Sequence, residues 1–348
     1  MLKVALVGAG GWGDTHIDRY LRLEKEGLVS FAGAADVNPV NLERVRALGI
    51  ACFTSDTELY ETVHPDLVSV AAGIPFHPDL QANALAHGVN VLMEKPAAAT
   101  VPEVEGMIAD AANYPDLFAL IAFQFIYTPE TAALKELIRS EKYGKICAVS
   151  VRGAVKRDDS YYQRNRWAGK LHLDNGRAVF DSPLSNAFAH YLNLALFLTD
   201  TDVERLENVR LLRARREIEN FDSCIFRAVG SNSLSVDVFF SHTVEQPEWP
   251  HLTITLERAV IHWHTNEWFV EGGTERMVYA DDPQYEMFKS AVLLAETGKA
   301  AHHVCTLQEA MKHTRCVALA QQFPIQTLNE TEYIRHGDFY SVPMLKEI

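Results

Sequence analysis

Hydrophobic and polar positions divide the chain into two parts with different periods. In the first, apolar runs of five to seven residues at 2–7, 29–35, 66–72, 89–93 and 118–123 alternate with stretches of helical spacing at 12–26, 38–48, 56–63, 78–87 and 102–112. A shorter apolar run at 51–53 fits the same rhythm. Continuous apolar runs joined by helices through short connections predict a parallel sheet covered on both faces, a doubly wound α/β domain over residues 1–125. Beyond it the pattern changes. After a helix at 129–140 and a strand from 146, the runs 205–212, 224–229, 234–240, 252–256, 259–264 and 268–271 alternate or are β-branched and aromatic. They predict a mostly antiparallel sheet in an α+β second domain over residues 126–348, completed by helices at 283–296 and 306–323.

One stretch of the second part stands out. Ser182 and Pro183 form an N-cap and first-turn pair, and the helix expected to follow, to residue 198, is nearly all apolar. Its interior exceptions, Asn186, His190 and Asn193, are spaced i, i+4, i+7. At roughly 100° per residue all three lie within about 40° of one direction. Buried polar groups need partners, so such a stripe predicts a polar cavity or a ligand.

Composition narrows the class. A formal net charge of −14 argues against general nucleic-acid binding and against anionic membranes, both of which are recognised by basic surfaces. Five scattered cysteines without CxxC spacing indicate neither a disulfide framework nor a zinc knuckle. No run approaches a membrane span, and the first strand occupies the N-terminus where a leader would be. A protein of a reducing, cytoplasmic compartment is expected. His262 and His264 share a strand face and His302 and His303 are adjacent, but neither pair has the further ligands of a metal site. No metal is expected. Arg213 and Arg215 read as a charged sheet face or an oligomer contact.

The candidate chemistry starts at the first strand, which runs into Gly8, Gly10 and Gly13 in GxGxxG spacing, with Gly11 and Trp12 between them. Gly8 suits the tight turn, Gly10 a close approach of backbone to pyrophosphate, and Gly13 close packing of helix on sheet. Phosphates would face the N-terminus of the following helix. The second strand ends at Asp36, 23 residues beyond Gly13, where a carboxylate accepts from ribose hydroxyls and repels a 2′-phosphate. NAD is therefore expected rather than NADP. The fifth apolar run stops at Glu94-Lys95-Pro96, on the side of a parallel sheet where ligands lie. Lys95 there can hydrogen-bond a substrate hydroxyl and help dock a nicotinamide.

GAGGWG, ADVNP and HGVNVLMEKP, in this order and spacing, resemble the Gfo/Idh/MocA family of glucose-fructose oxidoreductase and inositol dehydrogenase. The resemblance covers the first 125 residues best, and EKP is its more specific motif. It implies NAD(P)-dependent oxidation or reduction of a carbinol carbon, commonly on a sugar or cyclitol, with a second domain built on a large open sheet and assembly as a dimer or tetramer. The family's helix carrying Asp-x-x-x-His-x-x-Asp is similar to Asn186-Ala-Phe-Ala-His190-Tyr-Leu-Asn193, with both acids amidated. That similarity assigns proton transfer to His190 and its orientation to Asn186. A rival register pairs Asp181 with the first acid but places Ser185 at the histidine. The chain also departs from the family at 123–127, where Phe-Gln-Phe-Ile-Tyr stands in place of the usual Asn and Arg.

Residues 152–170 hold six Lys or Arg against two Asp in an otherwise acidic chain. With Tyr161 and Trp167 interleaved among Arg164 and Arg166, the segment fits a sugar-binding wall with anchors for a carboxylate or phosphate, and equally a solvated loop. The expected substrate is a small carbohydrate or polyol. Two other functions stay open: an NAD-dependent glycosidase working through transient oxidation, and a binding protein that senses cofactor or sugar without chemistry.

Overall fold

The computed structural model describes residues 1–347. The chain forms two compact units, one of Met1–Ala132 with Ala280–Met311, the other of residues 133–279 with 312–347. In the first unit, β1 (Leu2–Val7), α1 (Gly13–Lys25), β2 (Val29–Ala35), α2 (Glu43–Ala47), β3 (Ala51–Phe53), α3 (Asp56–Val63), β4 (Leu67–Val70), α4 (His77–Ala86), β5 (Asn90–Met93), α5 (Val101–Ala111) and β6 (Ala119–Ile121) alternate as the pattern predicts. The strands make one parallel sheet in the order β3-β2-β1-β4-β5-β6. This is the doubly wound fold, with its topological switch between β1 and β4. All four residues of β4 are buried, which is why such strands read as unbroken apolar runs. The expected helix at 38–48 is instead a 3₁₀ turn, Pro39–Leu42, followed by the short α2. Asn38 begins it by accepting the N–H of Val40 on its own side chain, a local bond that favours a tight turn over an α-helical start.

After α6 (Pro129–Arg139) the second unit is built on β7 (Ile146–Ala154), α7 (Asp159–Gln163), α8 (Ala189–Leu198), β8 (Val203–Arg213), β9 (Ser223–Gly230), β10 (Ser235–Ser241), β11 (Glu248–Leu256), β12 (Val260–His264), β13 (Glu267–Val270) and β14 (Arg276–Val278). The chain continues with α9 (Pro283–Thr297), α10 (Leu307–Ala320), β15 (Ile325–Thr327), β16 (Ile334–His336) and β17 (Phe339–Ser341). The large sheet has nine strands, in the order β14-β13-β12-β11-β7-β10-β9-β8-β15. Only β7 with β10 and β8 with β15 run parallel, so the open, mostly antiparallel α+β sheet is as expected. Strands β14 to β17 have three residues each, too few to show a period.

α8 lies against this sheet. Phe188, just before it, stacks on Phe240 of β10 at 4.8 Å, and Tyr191 tilts onto the buried Trp263 at 6.0 Å. Gly153 of β7 makes the approach possible, since a Cβ there would stand 2.7 Å from the Phe188 ring. Burying a side chain such as Phe240 contributes about 1.5–3 kcal/mol.

The chain folds 280–311 with the first unit, whereas the sequence pattern assigned everything after 125 to the second. The reason is the inner face of α9. Phe288 meets His16 and Tyr20 of α1 edge-on at 4.9 and 5.2 Å, and Arg22 lies 3.3 Å over Tyr285. Asp281 and Asp282 pair with Arg22 and Arg19. Contacts this distant in sequence leave no trace in local periodicity. Among the described residues no helix is long and apolar enough to cross a membrane.

Candidate active site

The glycine turn leaves β1 at the switch point. Gly8 has φ +88°, and a Cβ on it would stand 2.8 Å from the backbone of Ala71 and Ala72 beyond β4. No other residue fits there. A Cβ on Gly13 would stand 2.2 Å from the Gly8 carbonyl oxygen, so the third glycine is what lets α1 start directly beneath the turn. At Gly10 the near neighbour is the Asn41 side chain, at 2.4 Å, while nothing lies within 4 Å of a Cβ at Gly11.

Asp36, half-buried beyond β2, holds this turn in place. Its Oδ2 accepts the Ala9 N–H at 2.8 Å, the Gly10 N–H at 3.3 Å and the Asn41 side-chain amide at 3.1 Å, while Oδ1 accepts the Asn38 N–H at 2.8 Å. A carboxylate offers about four lone-pair sites, so Oδ1 keeps one for an outside donor. The N–H groups of Gly11 and the exposed Trp12 have no acceptor among the described residues. Two adjacent unused donors just before a helix, beside open space, fit a diphosphate, and the carboxylate beyond β2 fits a ribose.

Glu94-Lys95-Pro96 follows β5, with Lys95-Pro96 in the cis form. Three elements fix it. The Glu94 N–H donates to Val70 of β4 at 2.8 Å, and its carboxylate meets the buried His16 Nε2 of α1 at 3.1 Å and accepts the Lys95 N–H at 3.2 Å. His77, first residue of α4 and fully buried, reaches the Pro96 and Ala97 carbonyls through Nδ1 at 3.0 and 3.2 Å and the Ala72 carbonyl through Nε2 at 3.1 Å. Burial lowers its pKa, and the neutral ring, with a single N–H, sits between the segment after Pro96 and the end of β4 and donates to one of them at a time. Asn41, His16 and His77 were not singled out from the sequence. His16 had a signal, because His16, Tyr20 and Leu23 fall at i, i+4, i+7 on the buried stripe of α1.

In the second unit, Ser182 caps as expected, exchanging hydrogen bonds with Ser185. The continuous helix does not follow. Pro183–Ala187 is a wide turn closed by the Phe188 N–H on the Pro183 carbonyl at 2.9 Å, a five-residue step, and regular helix starts only at Ala189. The polar stripe computed at one helical pitch is therefore broken between Asn186 and His190. His190, half-buried, is the second residue of α8, and Asn193 is buried one turn later. Wide turns of this kind occur frequently at functional sites.

The break puts Asn186 against an acid. Its amide donates to Asp181 Oδ1 at 2.9 Å, and the buried Asp181 accepts the Gly169 N–H on Oδ2 at 2.7 Å with Arg164 at 3.6 Å. Arg164 also lies 3.7 Å over Tyr161 and 5.0 Å over Trp167. Tyr161, Arg164, Trp167 and Asn186 thus form one cluster through Asp181, which the sequence offered only in a rival register. Arg166 does not join them: it is exposed and makes no ion pair or ring contact among the described residues. Arg215, by contrast, is buried and paired with Asp159, not on a charged face, and Arg213 binds Thr327 and the carbonyls of Ile218 and Glu219. His262 pairs with Glu271 and His264 stacks near Phe269 and His251. Among the described residues no group of three or more His, Cys, Asp or Glu is arranged to hold a metal ion.

The model of an oxidoreductase family with an NAD-binding Rossmann fold matches residues 2–120. The rhizopine catabolism protein MocA of Rhizobium meliloti is 29% identical over 150 residues, 42% of this chain and 45% of that protein. Inositol 2-dehydrogenase of Burkholderia vietnamiensis is 24% identical over 265 residues, 67% of this chain and 73% of that one. The chain spans somewhat less than half the length of the first curated relatives it matches. Among solved structures, the WlbA dehydrogenase of Bordetella pertussis, in complex with NADH and UDP-GlcNAcA, superposes with a TM-score of 0.77 at 19% identity, covering 92% of this chain and 95% of that one.

Proposed function

We propose that the chain, whose residues 2–120 match the model of the Gfo/Idh/MocA oxidoreductase family, is an NAD-dependent dehydrogenase acting on a carbinol carbon of a sugar, sugar acid or cyclitol. The observation that carries this reading is the first unit's turn, where unused N–H groups at Gly11 and Trp12 stand beside the Asp36 carboxylate. Gly8, Gly10, Gly11, Trp12, Gly13 and Asp36 would hold the dinucleotide, and Glu94, Lys95 and Pro96 would border its reactive end. When bound, NAD supplies the hydride acceptor.

The remaining roles belong to the chain's own side chains. Lys95, held from behind by Glu94, His16 and His77, stabilises negative charge as it develops on the substrate oxygen. His190 takes the hydroxyl proton as general base. The orienting role falls to Asn186 by likeness to the family's helix, and Asn186 itself donates to the buried Asp181.

The test is a panel of sugars, uronates and cyclitols with NAD and with NADP, followed by absorbance of the reduced nicotinamide. Net reduction with NAD supports the reading. Sugar release from a glycoside without net reduction would reassign the protein to the glycosidase class, and cofactor binding without turnover on any member would leave only the sensing function.

A further inference from the structure

Three N–H-bearing side chains of the second unit surround one ring. Tyr161 is flanked by Arg157 at 4.4 Å, Arg164 at 3.7 Å and His242 at 5.4 Å. Arg164 has its counter-charge in Asp181, and the neighbouring Arg215 has Asp159. Arg157 has none: among the described residues no carboxylate pairs with it, and its Nε is buried without an acceptor. His242 is 2% exposed, and its Nε2 is buried and unpartnered. Its Nδ1 lies 2.8 Å from the Tyr162 hydroxyl. The Tyr162 hydroxyl has no other hydrogen-bond partner among the described residues, so its proton goes to Nδ1 and the neutral ring carries its own on Nε2. Burial, with Arg157, Arg164 and Arg215 nearby, holds the His242 pKa well below the ordinary value and keeps the ring neutral.

We propose that Arg157 and His242, beside Tyr161, form a subsite for a single carboxylate of the substrate, making this a sugar-acid enzyme rather than one for neutral sugars. Two buried N–H donors and one uncompensated guanidinium match an acceptor-only group of charge −1. The Arg157 N–H donates to the His242 carbonyl at 3.2 Å, so the two residues are fixed on adjoining segments of backbone. Arg164 links the subsite to Asp181 and Asn186, ahead of the helix that bears His190. Arg157 belongs to the basic segment 152–170, but His242 has no signal in the sequence, and only folding brings the two to one ring.

The proposal deepens the dehydrogenase reading and rests on it for the reaction but not for binding, so the decisive experiment reads binding. Calorimetric titration of the full chain, saturated with NADH, compares D-glucuronate with D-glucose and D-galacturonate with D-galactose. Each uronate is expected to bind at least about 10-fold more tightly than its parent sugar, the scale of a charge-assisted hydrogen bond. Arg157→Gln brings that ratio towards one, Arg157→Lys recovers part of it, and Lys156→Gln, whose ammonium lies over Phe339, leaves it unchanged. Circular dichroism checks that each variant folds. A ratio near one in the unmodified protein, no uronate binding, a ratio that survives Arg157→Gln, or glucose 6-phosphate binding as tightly as glucuronate would each overturn the carboxylate subsite. Uronate binding with the expected ratio but no reduced nicotinamide would instead sink the redox reading and leave the subsite standing.

Discussion

At the scale of single residues, the first unit separates side chains that shape a turn from those that act. Gly13→Ala drives a Cβ into the Gly8 carbonyl, backbone against backbone, and should cost about 1–3 kcal/mol as overpacking does. Gly11→Ala meets no atom and is penalised only by its φ of +55°, about 1 kcal/mol. Chemical unfolding of the two variants should rank them in that order, and NADH titration should show the greater loss for Gly13→Ala. Lys95→Ala removes the proposed oxyanion partner while leaving Asp36 and the turn untouched. A fall in kcat of about 10²–10³-fold with NADH affinity within a few-fold is expected. Unchanged kcat would remove Lys95 from the mechanism.

At the scale of elements, α9 is the part of the later chain that completes the first unit. Phe288 packs on His16 and Tyr20, and His16 in turn holds Glu94, so this core contact supports the segment that carries Lys95. Phe288→Ala should destabilise by about 3–5 kcal/mol and shift the thermal midpoint of the first unit downward, measured by calorimetry. Loss of the Ser182 cap is a smaller perturbation in a more sensitive place. Ser182→Ala should cost about 1 kcal/mol, yet lower kcat as well, because the wide turn it starts is what delivers Asn186 to Asp181. Normal kinetics in that variant would mean that the turn is only a packing feature.

At the scale of the whole molecule, burial sets a pH dependence. Asp222 is fully buried and accepts the N–H groups of Ala214 and Arg215, and burial raises its pKa from 3.8 to about 7. The folded state therefore holds this proton more tightly than the unfolded state. The stabilisation is complete below the unfolded pKa and is lost as pH rises through about 7, so stability relative to Asp222→Asn should fall between about pH 4 and pH 7 and level off above. Urea unfolding across that range measures it, and a constant difference between the two proteins would refute the protonated carboxyl. A homodimer or homotetramer remains the proposed assembly, and light scattering in solution distinguishes either from a monomer.

What the sequence determined by itself is whatever local order encodes. The alternation of apolar runs with helical stretches specified the doubly wound unit, and the glycine spacing with Asp36 located its turn, because close neighbours in the chain make those features. The Ser182 cap was legible for the same reason. Only tertiary structure decided the remainder: α9 packing on α1, His77 holding the segment after Pro96, the wide turn that sets Asn186 on Asp181, and Arg157 and His242 meeting at Tyr161. These groups stand tens to hundreds of residues apart or depend on a single inserted residue in a helix. Their energies come from burial and from the absence of competing partners, quantities that exist only once the chain has closed around them.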